Sequence, residues 1–236
     1  MDLSIGNINI EVIKKNIKNL HLAVYPPDGR VRIAAPEKMK DDVIRVFAVS
    51  KISWIKKQQK KLLAQPRQNK REFVSGESHY FKGIRYLLNV EVSNNNSISI
   101  RNKKYIDLMV KDISDYEKKE KLMKEWYRKE LKKEIPEIIE KWAEITGIEI
   151  NEYKIKIMKT KWGTCNPKDK RIWLNLELAK KNKRCLEYVV LHEMIHILER
   201  THNEKFQYYM NKYMPNWKEI REELNELVFD ESQKTL

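Results

Sequence analysis

The chain has 236 residues, 41% of them hydrophobic, which is enough for one large domain or two small ones with a substantial core. No run of about eighteen apolar residues occurs, and the opening MDLSIGNINIEVIKKN lacks a signal peptide's apolar centre, so no membrane association and a cytoplasmic location are expected. Lysine and arginine outnumber acids 48 to 34, a net charge of +14 that would draw nucleic acid or another polyanion if gathered on one face; interleaved with glutamate, as in KKEKLMKEWYRKELKKE, it marks a solvated helix instead.

Alternation at Ile8, Ile10 and Val12, then at Leu20, Leu22 and Val24, then at Val31, Ile33 and Ala35 predicts half-buried strands in an antiparallel meander, with Pro26 to Gly29 as a turn. After Pro36 the spacing becomes helical through Val43, Val46, Phe47, Ile52 and Ile55, and Pro66 to Arg71 reads as an exposed connection. A second β-rich stretch runs from Phe73 to Val110, punctuated by Gly76 and Gly83, with SNNNS as a hairpin loop. His79, beside Tyr80 and Phe81, reads as a packing or surface histidine.

Ser114 to Glu117 has the form of a capping box opening a long helix that carries Leu122, Trp126, Leu131, Ile138, Trp142 and Ile145. Pro136 is expected to kink or divide it, and Gly147 to end it. The tryptophans share the apolar stripe and read as core anchors. A strand through Ile155 and Ile157 follows, then KWGTC at Lys161 to Cys165, a turn, and an alternating strand through Ile172, Leu174, Leu176 and Leu178. The outer strand of this hairpin could offer free backbone groups to an extended peptide, and an ordinary scaffold strand fits the pattern equally well. No internal repeat is evident. Cys165 and Cys185 are the only cysteines, without C-x-x-C spacing, and are expected as reduced thiols.

The chemistry concentrates in LEYVVLHEMIHILERTH, Leu186 to His202. Apolar residues surround this helix on all sides, so His192, Glu193 and His196 would be costly to bury unless paired, hydrogen-bonded or bound to a metal. At 3.6 residues per turn, His192 and His196 lie about 40° apart in projection and one turn apart in height, so both imidazoles can chelate one ion. Glu193 is placed to reach a water on that ion, and His202 offers a third nitrogen. Three neutral imidazoles with an open fourth position make a hydrolytic zinc site, one Zn2+ per chain, in which the bound water becomes acidic near pH 7 and Glu193 takes its proton. Beyond it, Thr201 to Glu204 spells another capping box, which would put His202 in the first turn of a helix with Phe206, Tyr209, Met210 and Tyr213 on its buried face. Met214-Pro215 breaks that helix, a last one carries Trp217, Ile220, Leu224 and Leu227, and the end beyond Asp230 is expected to fray.

W-G-T-C, then I-W-L-N-L-E-L, then E-Y-V-V-L-H-E-M-I-H, a histidine six residues on, then F and P-x-W: in this order the motifs resemble the YgjP-like metallopeptidases, relatives of the SprT-like and WLM zinc peptidases. P-D-G-R-V-R-I-A-A-P in the N-terminal half also fits that family. The resemblance implies an α+β fold: a β-rich N-terminal region with one helix over 1–112, then a zincin-like catalytic domain over 113–236, or the two as one continuous family unit. It implies zinc on His192, His196 and His202, with Glu193 as general base. The histidine spacing of metzincins is the same, but Glu199 stands where their chain turns on glycine, and no Met-turn follows.

The expected function is therefore a zinc metallopeptidase acting on peptide or protein substrates. Lys161, Arg200, Tyr208 and Tyr209 are candidates for a second electrophile at the oxyanion. The alternative is a nucleic-acid-associated protein, SprT-like and acting on DNA-bound proteins, whose metal is mainly structural. A fourth ligand from Glu199 or Cys165 would favour that alternative. Substrate identity and oligomeric state are not legible.

Overall fold

The computed structural model describes residues 2–25, 28–64 and 71–226, with only the backbone for 61–64 and 226. Part of the expected turn at Pro26 to Gly29, most of the connection from Pro66 to Arg71, Leu227 and the end beyond Asp230 lie outside the described residues. The chain divides into two compact units, Met1–Gln68 and Asn69–Leu236.

Unit 1 contains β1 (Asp2–Ile5), β2 (Ile8–Lys15), β3 (His21–Tyr25), β4 (Arg30–Pro36), α1 (Asp41–Ser50) and α2 (Ile52–Ala64). Its sheet has the order β1-β2-β4-β3. β4 lies between β2 and β3 and runs parallel to β2, with Ile10 opposite Val31 and Val12 opposite Ile33. The antiparallel meander is thus corrected: alternation determines which residues share a face, not which strand is whose neighbour. Ile10, Val12, Val31, Ile33 and Ala35 bury one face of the sheet, together with Ile44, Ala48 and Ile55 from the helices. The expected helix is two, and its phase differs. Val43 and Val46 are 50% and 70% exposed, while Ile44 and Ala48, four residues apart, face the core.

Unit 2 opens with β5 (Ser78–Phe81), β6 (Ile84–Val92), β7 (Ser97–Arg101) and β8 (Tyr105–Val110) in the order β5-β6-β8-β7, with β6 and β8 parallel. This is the topology of the first sheet over again, each followed by a helix, so a repeat invisible in the residues is present in the connectivity. α3 (Tyr116–Thr146) is capped by the Asp115 carboxylate, which accepts from the Lys118 amide at 2.9 Å, rather than by the Ser114 box. It continues through Pro136 without division and ends at Gly147, whose φ of 72° is open to glycine at low cost. Met123, Tyr127, Leu131, Ile135, Ile138 and Trp142 form its buried stripe. That stripe belongs to one core extending from Phe73 to Leu224, so the division expected at residues 112 and 113 falls inside unit 2, where the second sheet and α3 bury apolar surface together.

A third sheet, β9 (Glu152–Lys156), β10 (Gly163–Asn166) and β11 (Arg171–Asn175), has the order β10-β11-β9, leaving β10 on an edge. Leu176 and Leu178 do not extend β11. The Asn175 side chain accepts from the Glu177 amide and starts a short 3₁₀ turn, Leu176–Lys180. Then come α4 (Lys183–Ile195), α5 (Glu204–Tyr213) and α6 (Trp217–Glu226). Among the described residues no helix is long and apolar enough to cross a membrane.

Candidate metal centre

α4 begins where the Asn182 side chain accepts from the Cys185 amide at 3.0 Å, and it is buried on nearly every side, from Cys185 to Ile195. His192 falls in its last turn and His196 is its C-cap. The chain then turns through Ile197 N–H to Met194 O, Leu198 N–H to Ile195 O and Glu199 N–H to Ile195 O. No positive φ is used, so the missing glycine at Glu199 is no obstacle. The turn returns His202 to α4. The α5 cap is the Asn203 side chain, which accepts from the Phe206 amide at 3.0 Å; the Thr201 box is therefore corrected, and His202 stands just before the cap instead of inside the helix.

The structure brings the three histidines together. One nitrogen from each lies within 4.8 Å of the others, and His192 Nε2 faces His202 Nε2 at 2.9 Å. Phe206, fully buried, packs its ring 4.7 to 4.9 Å from all three. His196 Nδ1 lies 2.9 Å from the Glu199 carbonyl. A carbonyl only accepts, so Nδ1 carries the proton and Nε2 is left as a donor to a metal. His192 Nδ1 is likewise near the Tyr188 hydroxyl at 3.4 Å. Burial, reinforced by the charges of His196, His202 and Arg221, pushes the His192 pKa down to about 3. Burial also lowers His202, so both rings stay neutral, as metal ligation requires. An all-imidazole set suits zinc or another transition ion over Mg2+ or Ca2+, and these residues fit such an ion.

Glu193 is 5% exposed, and burial raises its carboxyl to about 8 against the opposing charge of Lys161. It stands directly over Gly163 of β10. A Cβ added there would come within 2.7 Å of both Glu193 Cγ and Oε1, so the glycine of WGTC makes room for the carboxylate. Sequence reasoning missed this role, which is a tertiary contact.

Around these groups opens a cleft of about 1000 Å³, walled by β10, Trp162, Tyr188, Phe206 and Trp217. Of the electrophiles named from sequence, Lys161 and Arg200 line it. Tyr208 and Tyr209 do not: Tyr208 is 61% exposed, and Tyr209 stacks on Tyr213. Arg221, from α6, lines the cleft and was missed. The available signal was its helical phase, one turn from both Trp217 and Leu224. Neither potential fourth ligand joins the histidines among the described residues. Glu199 accepts from the Thr201 hydroxyl, and burial, followed by the charge of Glu193, holds the Cys165 thiol up near 12. His79 is buried elsewhere in unit 2, stacked on Phe73 at 5.6 Å and 3.5 Å from Glu77.

A family model described as YgjP-like, metallopeptidase domain, matches residues 18–227. Among solved structures, the metallopeptidase zymogen abylysin of Pyrococcus abyssi is 21% identical over 38% of this chain and 90% of its own, with a TM-score of 0.36. The zymogen jannalysin of Methanocaldococcus jannaschii is 28% identical over 39% of this chain and 87% of its own, with a TM-score of 0.35. No curated protein matches the chain.

Proposed function

The chain belongs to the YgjP-like metallopeptidase family, and from that premise we propose that it is a zinc-dependent peptidase with His192, His196 and His202 as metal ligands and Glu193 as general base. The observation that carries this reading is the convergence of three imidazole nitrogens beside a buried carboxylate on the wall of one cleft. A bound zinc ion would acidify its water to near pH 7 and polarise the scissile carbonyl.

The protein's own groups do the rest. The charge of a bound cation would favour the ionised Glu193 carboxylate over the neutral form that burial alone favours, and Glu193, held over Gly163, would then take the proton of the attacking water and hand it to the leaving amine. β10 is an edge strand lining the cleft, so its unpaired backbone groups can receive an extended peptide as an added strand and hold its scissile bond in place. Arg221 supplies positive charge at the oxyanion: it lines the cleft and its charge is felt by both His192 and His202. Replacing Glu193 by Gln tests the scheme. Metal analysis should find zinc retained at wild-type stoichiometry while peptide hydrolysis falls to background, and a variant that still turns over would remove Glu193 from its role.

A further inference from the structure

The excess positive charge is not spread evenly. Met1–Gln68 holds 14 lysines and arginines against 6 acids, a net +8, whereas the remaining 168 residues share a net +6. Between Asp42 and the end of this unit at Gln68 there are seven basic residues and no acid. The interleaving that neutralises a solvated helix such as α3 is absent from this segment.

The fold turns that run into a face. α2 is seated on the sheet of unit 1 by Ile55, which is fully buried, and by the Gln59 side chain, whose Nε2 donates to the Gly29 carbonyl at 2.9 Å. With those residues inward, Lys56, Lys57 and Lys60 point to solvent, and Lys51 is exposed at the start of the helix. None of the four has an ion-pair partner among the described residues. Two acids of the unit are already engaged, Glu11 with Arg32 and Asp41 with Lys14. Beside the lysines stands Trp54, 43% exposed and one turn from Lys57.

We propose that this face of α2 is a docking surface for single-stranded nucleic acid, with Lys56, Lys57 and Lys60 on the phosphates and Trp54 as a stacking platform for a base. Unpaired lysines complement a polyanion and gain by displacing its condensed counterions, and an exposed indole beside them fits an unstacked base. Three valines on α1 are also exposed, but Asp41 and Asp42 at that helix's N-terminus disfavour an anionic lipid surface. The proposal stands independently of the peptidase reading, since it uses none of the cleft residues.

The test is fluorescence polarisation of the full chain with a labelled single-stranded 30-mer over a salt series. Wild type should bind, with affinity falling steeply as salt rises. Reversing the face by Lys56→Glu, Lys57→Glu and Lys60→Glu together should weaken binding at least tenfold and flatten the logarithmic salt slope by roughly 2, at about 0.7 for each phosphate no longer neutralised. Trp54→Ala should cost roughly tenfold and Trp54→Phe much less. Reversing three exposed lysines of α3, Lys118, Lys121 and Lys132, makes the same change in net charge and should leave binding intact. Equal loss in that control, no salt-dependent binding by wild type, equal affinity for poly-glutamate, or preference for phosphatidylserine vesicles would each overturn the proposal. Peptide hydrolysis, measured alongside, should be unchanged in the α2 variants.

Discussion

Gly163→Ala is the substitution that most directly probes how the candidate centre is built. The added Cβ would lie 2.7 Å from Glu193 Cγ and Oε1 and 3.0 Å from Cδ, where carbon atoms ordinarily approach to about 3.5 to 4.0 Å. Something must therefore retreat by about 1 Å. Gly163 sits in register opposite Leu174 and does not use a positive φ, so alanine is acceptable to the strand itself. The yielding partner is the flexible Glu193 side chain, which moves away from its position on the cleft wall. Overpacking of this kind costs about 1 to 3 kcal/mol in stability. Displacing a reacting group by about 1 Å costs on the order of 100-fold in rate. The histidines are untouched, so metal content should stay at wild type. Turnover of an internally quenched peptide, zinc content and thermal melting on the same preparations separate the effects. A kcat within threefold of wild type would refute the role assigned to Gly163, and loss of zinc would show that the damage reaches the ligands instead.

Other expectations follow from the same geometry. His202→Ala should lower zinc affinity by orders of magnitude and abolish hydrolysis, measured by competition with a chromogenic chelator; unchanged affinity would exclude His202 as a ligand. Arg221→Met should reduce kcat by about 100-fold or more with KM little changed, if its charge acts at the oxyanion; a rise in KM alone would make it a substrate-binding group. Glu77 predicts an acid limb in stability. Burial raises its pKa, but the His79 ring 3.5 Å away, the Phe73 amide at 2.6 Å and the Arg71 charge together bring it down to about 2 from an ordinary 4.5. A depressed carboxylate stabilises the fold above its unfolded value and loses that contribution as pH falls through the folded one. Solvent screening at this partly exposed site reduces the full linkage, so wild type should lose roughly 1 to 2 kcal/mol between about pH 4.5 and 2. Burial lowers His79 and keeps it neutral near pH 7, which limits its share. Metal-free melting curves of wild type and Glu77→Gln over that range should converge as pH falls, and parallel curves would contradict the linkage.

What the residues disclosed, and what they withheld, divides along physical lines. The clustering of His192, Glu193 and His196 was legible because helix geometry alone fixes their relation, and the return of His202 to them because six residues suffice for one tight turn. The histidine-bearing helix, the ending of α3 at Gly147 and the hairpin before α4 rest on similarly local rules. Both capping boxes misled by a residue or two, since Asp115 and Asn203 are caps at least as good as Ser114 and Thr201 and lie nearer the helices that form. The insertion of β4 beside β2 was hidden because alternating patterns carry no information about pairing order. Gly163 and Arg221 were hidden for a related reason: one matters for what it lacks opposite Glu193, the other through a helix joined to the site only by tertiary packing.

The charge shows the same division with the opposite outcome. A net +14 says nothing about location, and lysine-rich α3 carries its own glutamates, so the total alone favoured a solvated surface. Only when the fold separates Met1–Gln68 from the rest does the acid-free segment become a property of one unit. Only when Ile55 and Gln59 fix the phase of α2 do its lysines and Trp54 all fall on the solvent-exposed half of the helix. The proposed hydrolytic groups all belong to the other unit, so strand binding and peptide hydrolysis would be separable by mutation. An added single-stranded oligonucleotide should then leave hydrolysis of a short uncharged peptide unaffected while accelerating cleavage of a protein bound to the same strand, through the higher local concentration that tethering provides. Equal acceleration of both substrates would point to a change in the cleft itself and not to tethering.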